Sequence, residues 1–567
     1  MHQRKQFDSV RERCKAAKIR YGFLHPARFR MTVRLLVYTS PPMTVILDFM
    51  ATSIFYIKCL AMPFHKAYSH IDYFLLDSKL ISLTDKIVYH PIVISDHAPL
   101  SMMLKVGEQA LKKRRWQFDA MLLKYTEFRM YLDKHISYFI SENNIGNVND
   151  SVLWEALKAV IRGHMISYVA NKKSKDNFRL EKINQNLIYL ENAYKMNPSD
   201  AALEGISKLK FEYNSILSKC VGSLLQKAQQ KYFELGAKPH SLLARQLRLA
   251  QASRAIHRIK DKTGKLITSP EEINKCFAKF YQELYQSKCA ANQETINEFL
   301  TNCRLSKLDA EAVQALDVEI TLDEIKTAVM QFPNYKPSGP DGFKIEFYKS
   351  YLPRIASLLL RMLKHSKEIS ILPNSLYQAN IAVLLKKDRD PLNMSSYRPI
   401  SLLQMETKIF TKVMSNRLCN HIHKLIHPDQ SGFVPGRHIY ANLCLLFKIM
   451  YNKQKEDCVV IALDAGKAFD HIEWQFMLST LNRFGFGSSF INWITIIYCQ
   501  PQASIITNGE ISQPFNLQRG VRQGCSCSPH LFNLCDKVLA CLIGANPNYK
   551  PIQLYGKDHH LSLFAAA

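Results

Sequence analysis

The chain has 567 residues, 47% of them hydrophobic, with 75 Lys and Arg against 48 Asp and Glu for a net charge of +27. A chain this long builds several domains rather than one core, and a basic excess spread along its length points to a polyanionic partner. Its 14 cysteines follow no repeated spacing and have no His or Cys companions at zinc-like distances, which argues against a disulfide framework and for free thiols in a reducing compartment, nucleus or cytosol.

Residues 1–63 form an unassigned basic and apolar segment. Arg4, Lys5, Arg11, Arg13, Lys15, Lys18 and Arg20 make its beginning basic, and a nucleic-acid arm and a solvated helix face are both open. The stretch 43–62, "MTVILDFMATSIFYIKCLAM", is long enough to cross a membrane. Asp48 and Lys58 inside it argue against a span, and the long basic lead argues against a secretory signal. Residues 64–105 contain two strand-like runs, "YSHIDYFLL" and "HPIVISDHAPLSM".

From 106 to 317 the pattern is helical. Leu180, Ile183, Leu187, Leu190 and Tyr194 recur at three- and four-residue steps with charges between them, which predicts an amphipathic helix. Asn197, Pro198 and Ser199 break it, and Leu203, Ile206, Leu209 and Tyr213 continue on a second helix. An αα-hairpin follows from that arrangement. The basic run from Lys238 to Lys260 reads equally as a template-gripping surface or a solvated face.

From 318 to 567 the texture changes. Thr321 with Glu324 three residues on is a capping-box signature. "KPSGPDGF", beginning at Lys336, is a loop stiffened by Pro337 and Pro340 and bent at Gly339 and Gly342. Ile381 to Leu385 and "YRPISLL", from Tyr397, read as two strands of a hairpin that brings Lys386 and Arg398 to one side. The fork of an arginine suits triphosphate oxygens. Val459 to Leu463 is an apolar run suited to a buried strand, with Asp464 at its tip and a turn from Ala465 to Phe469. Gly520 and Gly524 then frame Arg519, Arg522 and Gln523, and Ser528–Pro529 predicts an N-cap followed by a first-turn proline. A strand-tip carboxylate beside a basic, glycine-containing loop suits metal-dependent phosphoryl transfer on a nucleic acid.

"LDAGKAFD" and "RQGCSCSP" resemble the two central motifs of the reverse transcriptases of LINE-type non-LTR retrotransposons. "KPSGPDGF", "IAVLLKKD", "YRPISLL" and "HPDQSGFVPGR" resemble further segments of that family, in family order. The resemblance implies an α+β fold: an incomplete right-hand polymerase with fingers and partial palm over 318–567, preceded by a mainly helical linker over 106–317. It also implies that 64–105 is the remnant of an endonuclease sandwich, in which Asp72 would orient His97 and Asp96 would face the scissile phosphate. The Glu, Asn and further Asp that such a nuclease needs have no counterpart before residue 65, so no nuclease activity is expected.

Carried over in the same way, Asp464 is the catalytic carboxylate and a ligand of Mg²⁺, and Phe469 packs beneath the nucleotide sugar. Lys386, Arg398, Gln523 and Gly524 meet the incoming deoxynucleotide triphosphate, and Lys336, Gly339, Arg437, Arg519 and Arg522 contact the template. The implied partners are an RNA template, a DNA primer and deoxynucleotide triphosphates. Asp470, following the apolar Phe469, is expected in a structural ion pair or at a helix start rather than as a second metal ligand. Relatives usually carry an acidic residue where Gly466 stands and Pro-Leu where Ser526 and Cys527 stand. The family's second carboxylate element, an aromatic-Ala-Asp-Asp hairpin, falls at "HHLSLFAAA": Phe564 and Ala565 match, and Ala566 and Ala567 occupy the places of the Asp pair. The expectation is therefore a truncated, catalytically inactive reverse transcriptase, with a non-catalytic RNA- or DNA-binding protein as the alternative.

Overall fold

The computed structural model describes residues 55–58, 73–76, 81–89, 100–105, 115–143, 149–232, 255–426, 430–451, 465–546, 552–554 and 557–559. Asp72, Asp96, His97, Asp464, Ala566 and Ala567 lie outside these residues, as do the predicted strand 459–463 and much of the basic run 238–260. The chain divides into two compact units, residues 1–111 with 175–222 and residues 112–174 with 223–567.

In the first unit, β1 (Phe55–Lys58) pairs antiparallel with β2 (Tyr73–Leu76), and β3 (Thr84–Tyr89) with β4 (Leu100–Leu104). Part of the apolar stretch 43–62 is thus strand, and among the described residues no helix is long and apolar enough to cross a membrane. The predicted helical hairpin is present. The unit's 175–196 stretch is the end of the helix Asp150–Met196, which stops where Asn197 and Pro198 interrupt the pattern, and its 200–222 stretch is most of the next helix, Asp200–Tyr232. Ile183 and Leu187 of the first pack against Ile206 and Ile216 of the second. The Arg179–Glu212 pair spans the two helices, with Nε donating to Oε1 at 2.7 Å.

The second unit mixes helices with a five-stranded sheet, in which β5 (Ile259–Lys260) and β6 (Leu266–Ile267) take no part. Its centre is β7 (Gln378–Leu385), antiparallel to β8 (Tyr397–Leu403) on one side and parallel to β9 (Gln502–Thr507) on the other. Two short strands, β10 (Glu510–Ile511) and β11 (Phe515–Asn516), complete it through β9. A separate ladder joins β12 (Ile552–Leu554) to β13 (Lys557–His559).

One face of the sheet is covered by the helix Pro270–Leu284. Its Ile273, Phe277 and Tyr281 pack on Ile381, Tyr397, Ala503 and Ile505. Such spacing at four-residue intervals puts the three side chains on one helix face. Ala379 and Leu403 turn to a larger core built by helices that include Ile345–Glu368, Met405–Cys419 and Ser488–Ile497. The sheet is therefore clamped between two apolar layers, which gives its outer hairpin a rigid base.

The capping box predicted at Thr321 is formed. The threonine hydroxyl accepts from the Glu324 backbone N–H at 3.3 Å, and the Glu324 carboxylate accepts from the Thr321 N–H at 2.9 Å. The helix predicted after Ser528 is also present, but its N-cap is Cys527. Ser528 is the first helical residue, so Pro529 occupies the second position, where its missing N–H is equally harmless.

Candidate active site

Three segments converge at the edge of the sheet: the β7–β8 hairpin, the turn 465–473 and the loop 518–525. The loop is stitched to the turn by backbone bonds, Gly520 N–H to the Ile472 carbonyl at 2.7 Å and Val521 N–H to that of Phe469 at 2.8 Å. It is stitched to the hairpin by the Ser401 N–H, which donates to the Gln523 carbonyl at 2.8 Å. The Trp474 indole N–H adds a bond to the Gly520 carbonyl at 2.9 Å.

These contacts explain Gly524. Its φ is +115°, and a Cβ there would lie 2.5 Å from the Ser401 carbonyl oxygen. Only glycine lets the loop approach β8 this closely. Gly524 is exposed and Gln523 half-buried, so the loop presents its backbone outward at this point.

In the hairpin, Arg398 stands opposite Leu384 and is exposed. Lys386 follows the end of β7, its backbone N–H donating to the Ser396 carbonyl at 2.9 Å. Lys386 is also close enough to the turn for its charge to act on Lys467 and Asp470. Lys336 is exposed, whereas Gly339 is buried against Leu403 and Gln404. Arg437 donates Nη1–H to the Gln430 carbonyl at 2.8 Å, closing the turn 430–437 on itself.

Arg519 and Arg522, expected to reach a nucleic acid, are buried, with 4% and 5% of their surfaces exposed. Arg519 donates from Nε and Nη2 to the Leu284 carbonyl at 2.9 and 2.8 Å and pairs with Glu473 at 3.3 Å. Arg522 donates Nη2–H to the Tyr377 carbonyl at 2.8 Å. In this conformation both guanidiniums satisfy protein acceptors and tie the loop down. Phe469 is buried as well, stacked on Phe532 with ring centroids 4.5 Å apart and edge-on to Phe433 at 5.8 Å.

Asp470 sits beneath the loop, in the short 3-10 helix Ala468–His471. Its Oδ1 accepts from the Tyr285 hydroxyl at 2.7 Å, and the Gln523 amide approaches Oδ2 at 3.5 Å. Burial raises its pKa to about 6, against the pull of the Tyr285 bond and of Lys467, Lys386 and Arg519. Beside it, Lys467 adopts a left-handed backbone with φ 55° and lies 4.1 Å from the Phe280 ring centroid. Burial lowers that ammonium to about 8, and its Nζ has no hydrogen-bond partner.

The sign of the Asp470 effect is testable. A folded-state pKa of about 6, above the unfolded value near 3.9, means that the native state binds this proton more tightly. The stability so gained is complete below about pH 4 and is lost as pH rises through about 6, on the order of 3 kcal/mol at most. Asp470→Asn keeps an acceptor for Tyr285 without the charge, and Gln523 Oε1, which lacks a partner, can take the new amide N–H. Urea unfolding at several pH values should show that this variant flattens the slope between pH 4 and 6 and is more stable than the parent at pH 8.

Among the described residues, no three His, Cys, Asp or Glu side chains group as a metal site. Asp470, beneath the loop, is buried and held by a tyrosine hydroxyl, and the Glu473 carboxylate is paired with Arg519. Asp464, the metal ligand that the resemblance implies, lies outside the described residues.

Residues 384–562 match the family model for reverse transcriptase (RNA-dependent DNA polymerase). The chain carries a reverse transcriptase domain. That domain takes in the end of β7, all of β8, the turn and the glycine loop, the pieces that the fold brings together. The chain is similar to a 149 kDa protein of transposon TX1 from Xenopus laevis, 25% identical over 84% of this chain and 36% of that protein. It is also similar to the RNA-directed DNA polymerase from mobile element jockey of Drosophila funebris, 23% identical over 78% of this chain and 48% of the relative. A Pol polyprotein from a type-2 retrotransposable element of Drosophila melanogaster is 28% identical over 36% of this chain and 19% of its own length. The chain thus spans less than half the length of these relatives, and the similarity to the first two extends well beyond the reverse transcriptase domain.

Two features of the domain's surroundings were missed from sequence. One is the covering helix Pro270–Leu284, whose Leu284 and neighbouring Tyr285 hold Arg519 and Asp470. Nothing along its own sequence says what it covers. The other is a buried charge cluster around Lys158, in which no spacing along the chain brings the partners together.

Proposed function

We propose that this chain is the reverse transcriptase region of a LINE-type non-LTR retrotransposon protein, binding an RNA template, a DNA primer and deoxynucleotide triphosphates. The observation that carries the reading is the coincidence of the family match with the one place where hairpin, turn and glycine loop meet. On this reading β7–β8 belongs to the fingers and the turn and loop to the palm, with 64–105 the endonuclease remnant.

Lys386 and Arg398 would face the triphosphate oxygens, and the exposed backbone at Gly524 would let the templating pair come close. Phe469, held by Phe532, would support the sugar. Lys336 and Arg437 would contact the template, while Arg519 and Arg522 would act by fixing the loop. Reverse transcriptases work with a divalent metal. Mg²⁺, which prefers a few hard oxygen ligands, is the ion we expect, with Asp464 as its ligand. A methyl group offers such an ion nothing, and Ala566 and Ala567 stand where the family's second carboxylates are expected.

Two outcomes follow. The purified protein should bind a primed RNA with an affinity that falls steeply with salt, since each phosphate contact releases a counterion; filter binding from 50 to 200 mM salt measures this. The 567-residue chain should not extend the primer, and template-dependent extension by it would contradict the assignment of those alanines.

A further inference from the structure

Trp154 and Lys158 lie one helical turn apart near the start of the helix Asp150–Met196, outside the family match. Lys158 is 7% exposed, and its Nζ lies 2.6 Å from Glu406 Oε1 and 2.8 Å from Asp341 Oδ2. It also donates to Gln404 Oε1 at 3.0 Å, and the Trp154 indole N–H donates to the same Glu406 oxygen at 3.0 Å. Burial opposes the lysine's charge, but Glu406 and Asp341 outweigh it and raise the pKa. One ammonium therefore joins three separate stretches: the helix, the loop that carries Asp341, and the junction after β8 that carries Gln404 and Glu406.

The loop is pressed into place around this joint. A Cβ on Gly339 would lie 2.5 Å from the Leu403 carbonyl oxygen and from Gln404 Cα. Gly342, at φ +88°, abuts Trp116, and its carbonyl accepts from the Phe118 N–H at 3.0 Å. Lys336, three residues before Gly339, is left exposed. A buried ion cluster is a poor source of net stability compared with apolar packing, but here three acceptors from two stretches fix where one ammonium sits. That property suits a joint that must hold one loop in one place.

We propose that Lys158 is a positioning residue for the template strand, holding the loop 336–343 so that Lys336 is presented at a fixed place beside β8. The proposal rests on the reading of that loop as a template contact.

The test combines amide hydrogen exchange with binding of a primed RNA, using the full chain and the variants Lys158→Met, Lys336→Ala and both together. Lys158→Met should speed exchange at Gly342 and Phe343 at least tenfold relative to β7 and β8. It should weaken RNA binding about threefold to tenfold, with the salt slope reduced by about 0.7, the value for one contact to a single strand. Adding Lys336→Ala to it should then cost almost nothing more. Independent, additive losses from the two substitutions would overturn the proposal, as would an unchanged affinity in a loosened loop. Should Lys158→Met fail to fold, Asp341→Asn, which keeps the Lys158–Glu406 pair, reports the same coupling. Failure of the parent protein to bind the primed RNA would remove the functional reading itself and the proposal with it, an outcome distinct from parental binding that ignores Lys158.

Discussion

Arg417→Met should destabilise the second unit by about 1–3 kcal/mol, the cost of leaving a half-exposed carboxylate and three carbonyls without their donor. The guanidinium is 8% exposed and takes both oxygens of Glu324, Nε to Oε1 at 2.6 Å and Nη2 to Oε2 at 2.8 Å. It also donates to the carbonyls of Leu316 at 3.1 Å and Glu319 at 2.9 Å, and to that of Val318. Methionine fills much of the volume but leaves the carboxylate and three carbonyls without a donor. Arg417→Lys should recover only part of the loss, because an ammonium cannot reproduce the planar fork. The Glu324 pKa is lowered, the bonds from Arg417 and Thr321 outweighing its burial. The pair's contribution is therefore present above the unfolded glutamate value and is lost as pH falls through the folded one. Urea midpoints of the three proteins at pH 7 and pH 4 measure both effects.

Gly524→Ala is expected to cost about 2–4 kcal/mol, the upper range for a single substitution with a steric cause, and to abolish any response to nucleotide. The colliding atom is the Ser401 carbonyl oxygen, which belongs to a strand paired along its length with β7 and cannot rotate away. The loop must lift instead, breaking the Ser401–Gln523 bond that registers it on the hairpin. Gly466→Ala is the control. Nothing lies within 4 Å of a Cβ there, and the change should stay within about 0.5 kcal/mol. If both glycines respond alike, close approach is not what Gly524 provides.

Features set by neighbours along the chain were the ones readable beforehand. The Thr321 cap depends on a residue three places away, the helical hairpin on an Asn-Pro break, and the β7–β8 hairpin on two short apolar runs. Each is decided within a few residues, so pattern and propensity suffice. Arg519 and Arg522 show where this stops. A basic residue in a glycine loop reads as exposed by default, and what draws these two inward are the carbonyls of Leu284 and Tyr377, supplied by distant stretches. Lys158 is the stronger case. On its helix it has the look of any surface lysine, and only the arrival of Asp341 and Glu406 makes its burial affordable. The parallel partner β9 was likewise unreadable, because alternation in "QASIIT" does not name the strand it pairs with.

We propose the hairpin, turn and loop as a site for nucleotide on a primed template. It is tested most directly by fluorescence anisotropy of a labelled DNA primer on an RNA template, titrated with the protein in Mg²⁺ without nucleotide, with the complementary deoxynucleotide triphosphate, and with a non-complementary one. Severalfold tighter binding is expected with the complementary nucleotide alone. Equal affinity in all three titrations would contradict it and leave a nucleic-acid binder without a polymerase's substrate site.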